Sequence, residues 1–244
     1  MTIVTRIVTR IHHYADNSSQ FEGLFVCDEQ VAAKGCVLIA HTWEGRGQFV
    51  SEIAHRLAQL GYQAFALDMY GKGKTSQKSA ECQALMQPLM DDRKLLQQRI
   101  NLALNTLKQI PGVNSKKIIA IGYCFGGLCV LDLARSGAEL LGVVSFHGLL
   151  QAPPSSSSSP AKINARILVL HGHDDPMVPV AQVSALKTEL TQAKADWQIH
   201  AYGNTVHAFT NKNANLAGTA QYHALSDRRS WQSMLNFFDE LFNV

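Results

Sequence analysis

The sequence predicts an α/β protein with a mostly parallel central sheet and helices on both faces. Strand-like and helix-like segments alternate from Gly35 onward, which is the pattern of such a sheet. The segment Cys36–Ala40 (CVLIA) is apolar throughout, as strands covered on both faces are. With 244 residues, 46% of them hydrophobic and 17% charged, the chain can bury a large core. No internal repeat or linker appears, so we expect a single domain over residues 1–244.

Each element in order follows from its apolar pattern and its flanking residues. Short apolar runs predict strands, and apolar positions repeating every three to four residues predict helices. The turn-prone Ala15–Ser18 (ADNS) separates the first two strands, and Pro88 is expected to break the long second helical segment, Ala80–Ile110. The low-complexity stretch Pro153–Pro160 predicts a surface loop. The predicted strands are Ile3–Ile11, Phe21–Val26, Cys36–Ala40, Ala64–Leu67, Lys117–Ile121, Val143–Phe146, Ile167–Leu170 and Gln198–Tyr202, and the predicted helices are Gln48–Leu60, Ala80–Ile110, Leu128–Arg135, Ala181–Ala193 and Arg228–Phe242.

The motif Gly122–Gly126 (GYCFG) lies between a predicted strand and a predicted helix. It matches the small-x-nucleophile-x-small turn of α/β-hydrolases, with cysteine where most of them carry serine. So sharp a turn strains the backbone of its central residue and requires small residues two positions away on either side. The motif therefore predicts an exposed Cys124 thiol at a helix N-terminus, where the partial positive charge favours thiolate. An ordinary glycine-rich turn holding a buried cysteine is the alternative.

A cysteine nucleophile requires a base and an orienting carboxylate, and in this fold they follow in the order nucleophile, acid, histidine. The segment His171–Pro179 (HGHDDPMVP) follows one predicted strand and offers two adjacent aspartates. The segment Gly203–Phe209 (GNTVHAF) follows the next strand and offers His207. Both segments lie at the carboxyl ends of strands, where open α/β sheets place their sites. The order therefore predicts a Cys-Asp-His triad, with either aspartate as the acid.

These motifs give the chain a resemblance to the dienelactone hydrolase family. The resemblance runs from about Gly35 to the C-terminus, through GYCFGG, the D-x-x-V-P of the acid loop and the H-x-F of the histidine loop. It implies an α/β-hydrolase fold and a hydrolase acting on ester bonds, similar to carboxymethylenebutenolidases, with no cofactor and no metal. It implies Cys124 as nucleophile, His207 as base and Asp175, the first residue of D-x-x-V-P, as acid. A swap of roles between Asp174 and Asp175 stays open.

The resemblance also implies an oxyanion hole formed by the backbone N–H groups of Phe125 and Trp43. At this point the chain departs from the family. Many members carry glutamate at the position of Thr42, where this chain has threonine and places Glu44 two residues later. Either Glu44 supplies the family's carboxylate from a neighbouring position, or the thiol relies on the histidine alone.

The predicted substrate pocket departs from the family as well. Dienelactone hydrolases resemble one another in two arginines that bind the substrate carboxylate, and the matching positions here hold Lys72 and Asn211. Lysine keeps the charge without the bidentate fork, and asparagine has no charge. We expect these two residues to line the pocket together with Thr42, Glu44 and Tyr123, and a dienelactone is not the expected natural substrate.

Charge, apolar stretches and cysteine spacing indicate which kinds of partner and which compartment to expect for the chain. The net charge is only +3 and the basic residues are scattered, so no nucleic acid is expected. No stretch approaches the ~18 apolar residues of a membrane span, and the N-terminus lacks the apolar region of a signal peptide. The five cysteines are irregularly spaced, which favours a reducing cytoplasm. We expect a cytoplasmic monomer or weak homodimer that acts on a small-molecule substrate.

Two further motifs are weak. Gly71–Thr75 (GKGKT) lacks the spacing of a phosphate-binding loop, and His171–Asp175 lacks the additional ligands of a metal centre. The sequence therefore predicts a cysteine-dependent hydrolase of an ester, lactone or similar activated carbonyl compound, acting through an acyl-enzyme. The alternatives are a phosphotriester-hydrolysing enzyme with the same triad and a non-catalytic binding or thiol-sensing protein on the same fold. For thiol sensing, Cys129 on a buried helix is a poor resolving partner.

Overall fold

A computed structural model describes residues 6–154 and 162–243 of the chain. Residues 3–5 of the first predicted strand, and residues 155–160 of the predicted Pro153–Pro160 loop, lie outside this range. Every helix in the described part is too short or too polar to cross a membrane. The elements in chain order are β1 (Ile7–Ala15), β2 (Gln20–Asp28), β3 (Cys36–Ala40), α1 (Gln48–Gln59), β4 (Gln63–Ala66), α2 (Ser79–Asp91), α3 (Arg93–Gln109), β5 (Ile118–Tyr123), α4 (Phe125–Arg135), β6 (Gly142–Phe146), β7 (Arg166–Gly172), α5 (Val180–Gln192), β8 (Trp197–Tyr202), β9 (Asn215–Leu216), β10 (Ala220–Gln221) and α6 (Ala224–Phe242).

The long predicted helix Ala80–Ile110 divides at Asp92, and the predicted break at Pro88 is wrong. Pro88 lies inside α2, where it removes one helical N–H donor without ending the helix. The break comes where the carboxylate of Asp92 accepts a hydrogen bond from the N–H of Leu95 at 2.9 Å, which caps the N-terminus of α3. A favourable cap, rather than the proline, therefore fixes the boundary.

The first compact unit of the chain ends at Ala120 and has the strand order β1-β2-β4-β3-β5. Strands β1, β2 and β4 pair antiparallel in that order, and β3 pairs parallel with β4. Helix α1 connects β3 to β4, whereas α2 and α3 connect β4 to β5 in the opposite direction. Because such connections are right-handed, α1 and α3 cover opposite faces of the strands.

The second compact unit begins at Ile121 and has the strand order β5-β6-β7-β8, with β6, β7 and β8 paired parallel. A Cβ atom on Gly127 of α4 would lie 2.7 Å from Oγ of Ser145, whereas one on Gly142 would lie 2.6 Å from Cδ1 of Leu241 of α6. Ser145 and Gly142 point to opposite faces of β6 because side chains alternate along a strand. Helices α4 and α6 therefore cover opposite faces, and the predicted fold class is confirmed. The single domain over residues 1–244 stays a prediction.

Arg135, the last residue of α4, joins this helix to α5 through buried ion pairs. Its Nε and Nη2 atoms donate to the carboxylate of Glu189 at 2.8 Å each, and Nη1 donates to Asp132 at 3.1 Å. Nη2 also donates to the carbonyl oxygen of Leu150 at 3.1 Å. The side chains of Arg135 and Asp132 are only 6% and 0% exposed, so each buried charge depends on its partner for stabilisation.

We expect Arg135→Met to lower the free energy of unfolding by about 3–5 kcal/mol, because it removes the guanidinium that stabilises the buried carboxylate of Asp132. The double variant Asp132→Asn with Arg135→Met should lose less, since no charge then remains buried at position 132. Urea unfolding followed by circular dichroism measures both values. Identical unfolding midpoints for the single and double variants would contradict this account of the pair.

Candidate active site

Cys124 occupies the turn between β5 and α4. Its backbone adopts φ +56° and ψ −117°, a strained combination for a residue with a side chain, and its N–H donates to the carbonyl oxygen of Phe146 at 3.0 Å. A Cβ atom on Gly122 would lie 2.0 Å from the carbonyl oxygen of Gly126, so glycine is required there. Cys124 is partly exposed, whereas the other four cysteines are buried. The turn thus has the geometry that the motif predicts.

His207 follows β8 and forms a direct hydrogen bond with the acid loop. Its Nδ1 atom lies 2.7 Å from Oδ2 of Asp175, and the two side chains are 3% and 0% exposed. The other carboxylate oxygen of Asp175 accepts the N–H of Met177 at 2.9 Å. Asp174 instead accepts the N–H of Thr205 at 3.1 Å, which orders the loop before the histidine. The structure therefore brings Asp175, and not Asp174, to the imidazole.

The surroundings of His207 favour its protonated form. Burial opposes the charge, but the negative charge of Cys124 and the hydrogen bond and charge of Asp175 outweigh it and raise the pKa of His207 to about 10. The Nε2 atom of His207 is buried and forms no well-aligned hydrogen bond within the described residues, although Cys124 is near enough to act on the ring. Asp175 and Cys124 therefore both favour the proton on the imidazole of His207.

The main chain of His207 is held by the small β9–β10 hairpin. The N–H of His207 donates to the carbonyl oxygen of Thr219 at 3.2 Å, and the N–H of Gln221 donates to that of His207 at 3.0 Å. No sequence pattern predicted this hairpin, because two-residue strands show no periodicity. Glycine at position 218 is the sequence signal that could have indicated the turn of this hairpin, since the residue adopts φ +71° there.

His147 packs against the ring of His207 and was also missed. The two ring centroids are 5.2 Å apart at an interplanar angle of 66°. Nε2 of His147 lies 2.8 Å from Oγ1 of Thr210, on the segment that follows His207. A histidine after β6 belongs to no motif, so only the folded structure identifies this contact.

The two predicted pocket residues of the second unit lie beside these elements of the site. Tyr123 precedes the cysteine and is buried, with its ring stacked on Phe146 at a centroid distance of 4.5 Å. Asn211 follows the histidine loop and accepts the N–H of Asn213 on its side-chain oxygen at 3.0 Å. A role for either residue in binding substrate stays a prediction.

In the first unit, the loop after β3 carries Thr42 and Trp43 and is held by two side chains. The hydroxyl of Tyr70 donates to the carbonyl oxygen of Trp43 at 3.0 Å. Nδ1 of His41 lies 2.6 Å from the carbonyl oxygen of Thr42. This carbonyl shares a rigid peptide plane with the N–H of Trp43, so the bond from His41 also fixes the direction of that N–H.

Glu44 and Lys72, the remaining predicted pocket residues, are in the same unit. Burial raises the pKa of Glu44, whose N–H donates to Oγ1 of Thr42 at 3.2 Å. Lys72 is exposed, with φ +55°, at the end of a loop shaped by Asp68. The buried carboxylate of Asp68 accepts the N–H of Gly71 at 2.8 Å, together with the N–H groups of other residues in the loop.

The segment His171–Asp175 does not gather its side chains around one point. Asp174 bonds to the backbone of Thr205, whereas Asp175 bonds to His207. Across residues 6–154 and 162–243, no three His, Cys, Asp or Glu side chains are grouped so that they could hold a metal ion.

The sheet, the strained cysteine turn and the acid–histidine pair together define a hydrolase of the α/β-hydrolase fold. The sequence model of the Dienelactone hydrolase family matches residues 21–242, and the chain belongs to this family. The match begins at residue 21, before Gly35, so it includes β2 but not β1.

Solved structures and curated sequences agree with this assignment. A dienelactone hydrolase-like promiscuous phosphotriesterase from metagenomic libraries is 36% identical, with a TM-score of 0.90 over 96% of this chain and 98% of its own. The structure entitled m3DLH is 37% identical, with a TM-score of 0.90 over 97% of this chain and 99% of its own. The uncharacterized protein K02A2.1 of Caenorhabditis elegans is 35% identical over 150 residues, which are 60% of this chain and 94% of that protein.

The raised pKa of His207 predicts a pH dependence of stability. A proton held with a pKa of about 10 in the folded state, against 6.5 ordinarily, stabilises the folded protein fully below pH 6.5 and is lost as the pH rises toward 10. We therefore expect the free energy of unfolding to fall more steeply across this range in the wild-type protein than in His207→Gln. Urea unfolding at a series of pH values measures both slopes. His200→Gln, in β8, is the control, and equal slopes for wild type and His207→Gln would refute the assignment.

Proposed function

We propose that the chain is a cysteine-dependent hydrolase that acts on an ester, lactone or similarly activated carbonyl compound through an acyl-enzyme. The observation that carries the proposal is the 2.7 Å bond between Asp175 and His207, whose proton is stabilised by the charge of Cys124. An imidazole oriented by a carboxylate beside an activated nucleophile is the arrangement that covalent acyl transfer requires.

The reaction follows from the charges of these groups. The thiolate of Cys124 attacks the carbonyl carbon and forms a tetrahedral oxyanion that still carries the leaving oxygen. As the bond to the leaving oxygen breaks, the imidazolium of His207 donates its proton to that oxygen and becomes neutral. The neutral imidazole then takes a proton from water, and the resulting hydroxide equivalent attacks the thioester. Release of the acid restores the thiolate and the protonated His207, which Asp175 keeps oriented throughout.

We assign stabilisation of the oxyanion to the backbone N–H groups of Phe125 and Trp43. Phe125 is the first residue of α4, where the partial positive charge of the helix favours an anion. Trp43 follows β3, the strand after which α/β-hydrolases place their second donor. Each such donor contributes ~2.7–4 kcal/mol to the transition state in other enzymes.

Dienelactone hydrolases resemble one another in two arginines that bind the carboxylate of the substrate. The substrate that we propose for this chain has no such carboxylate. We keep Thr42, Glu44, Lys72, Tyr123 and Asn211 as proposed pocket residues. Among them only Lys72 is a cation, and it is exposed and has no bidentate fork. A neutral acyl ester or lactone suits this set better than an anionic dienelactone.

We expect Cys124→Ala to abolish the turnover of short-chain nitrophenyl esters, because the thiolate forms the acyl-enzyme. Asp175→Asn should lower kcat by ~10²–10⁴-fold through loss of the oriented imidazole. Steady-state absorbance assays and mass spectrometry of the trapped acyl-enzyme measure these effects. Cys129→Ala, on the same helix, is the matched control and should keep wild-type rates. Full activity of Cys124→Ala would sink the proposal.

Phosphotriester hydrolysis is the second candidate, because a solved relative with 36% identity is described as a promiscuous phosphotriesterase. The test is to compare kcat/KM for an acyl ester and a dialkyl phosphotriester that release the same nitrophenolate. We expect faster hydrolysis of the acyl ester and loss of both activities in Cys124→Ala. Faster hydrolysis of the phosphotriester would make phosphorus, rather than a carbonyl carbon, the preferred centre.

A further inference from the structure

His147 is a buried histidine that the acyl-transfer chemistry does not use, although it contacts the proposed base. It lies directly after β6 and is only 1% exposed. Its ring meets the ring of His207 in an edge-to-face arrangement, with centroids 5.2 Å apart and an interplanar angle of 66°. This ring contact is separate from the hydrogen bond between Nδ1 of His207 and Asp175.

Two anchors tie His147 to the segment that carries His207. Nε2 of His147 lies 2.8 Å from Oγ1 of Thr210, and its ring packs edge-on against Phe209 at a centroid distance of 5.1 Å. Both partners follow His207 closely in the chain. The side chain of His147 therefore connects the end of β6 to the histidine loop at three points.

The position is an unfavourable one for a residue that only fills space. The backbone of His147 has φ +37°, which is uncommon for a residue with a side chain, and its N–H is fixed by a 2.8 Å bond to the carbonyl oxygen of Leu170. Its Nδ1 atom is buried and finds no hydrogen-bond partner within the described residues. Strained backbone and unsatisfied polar atoms concentrate at functional sites, and phenylalanine would fill the space without the unsatisfied atom.

His147 is neutral, which is compatible with its contact to a protonated His207. Burial, and next the positive charge of His207, keep the pKa of His147 well below its ordinary value. The ring is therefore neutral where it meets His207, and the contact does not repel the imidazolium.

We propose that His147 is a positioning residue that holds the imidazole plane of His207 so that Nε2 is directed at the leaving group. The inference rests on the proposed function. A single hydrogen bond from Nδ1 of His207 to Asp175 fixes one edge of the ring but lets the plane rock about that bond. The ring of His147, itself held by Thr210, limits this rocking.

A misaligned His207 should impair one step more than the others. Expulsion of an alkoxide requires the proton of His207, whereas nitrophenolate leaves without it. Loss of positioning should therefore reduce the hydrolysis of an alkyl ester much more than that of a nitrophenyl ester with the same acyl group. A purely structural defect would lower the fraction of active enzyme and reduce both rates equally.

The test compares His147→Ala, His147→Phe and Thr210→Val on this pair of esters. We expect kcat/KM for the alkyl ester to fall by ~10–100-fold in His147→Ala and by less in the other two, with losses below about 3-fold for the nitrophenyl ester. Thr210→Ser, which keeps the hydroxyl, should restore wild-type behaviour. His200→Phe is the matched control for replacing a histidine in the same unit. Equal losses on both esters would overturn the inference.

A second readout does not depend on turnover. The proton between Nδ1 of His207 and Asp175 is observable by ¹H–¹⁵N NMR, and we expect its signal to shift or broaden in His147→Ala and Thr210→Val but not in His200→Phe. An unchanged signal in both variants would also overturn the inference. Should Cys124→Ala keep full esterase activity, the proposed function fails, and the NMR comparison alone decides whether His147 positions His207.

Discussion

The close approach of Gly122 to the carbonyl oxygen of Gly126 is the constraint on which the site depends. Only a hydrogen atom fits between them, since a Cβ would lie 2.0 Å from that oxygen. This clearance lets the chain pass from β5 into α4 through one residue, Cys124, which bears the backbone strain at φ +56°. The sulfur is thereby fixed at a helix N-terminus, where the helix favours negative charge.

Charged side chains lie near both ends of α4, but they act differently at each end. At the N-terminus, the imidazole of His207 lies near Cys124 and the carboxylate of Asp175, and both raise its pKa. At the C-terminus, Arg135 is surrounded by carboxylates and a carbonyl oxygen, which tie the helix to α5. One end carries the proposed chemistry, and the other keeps the helix in place. Both arrangements depend on burial, which strengthens interactions between charges.

The sequence predicted the features that depend on local pattern. Apolar runs located β3 through β8, and the GYCFG motif located the turn because its glycines follow from steric clearance. The choice of Asp175 over Asp174 came from a family motif and agrees with the observed bond. The contact between His147 and Thr210 joins residues 63 positions apart, and no local pattern encodes it. The cap at Asp92 was missed because the proline four residues earlier gives the stronger local signal.

The β9–β10 hairpin holds His207 in place but is less stable than the sheet. Two backbone hydrogen bonds attach it to His207, yet its strands are two residues long and Leu216 in it is 61% exposed. So small an element can open while the sheet stays intact, because local opening requires far less free energy than global unfolding. Opening of the hairpin under mild heat or denaturant is therefore expected to displace His207 while the sheet stays folded, and the proposed hydrolysis is expected to stop with it.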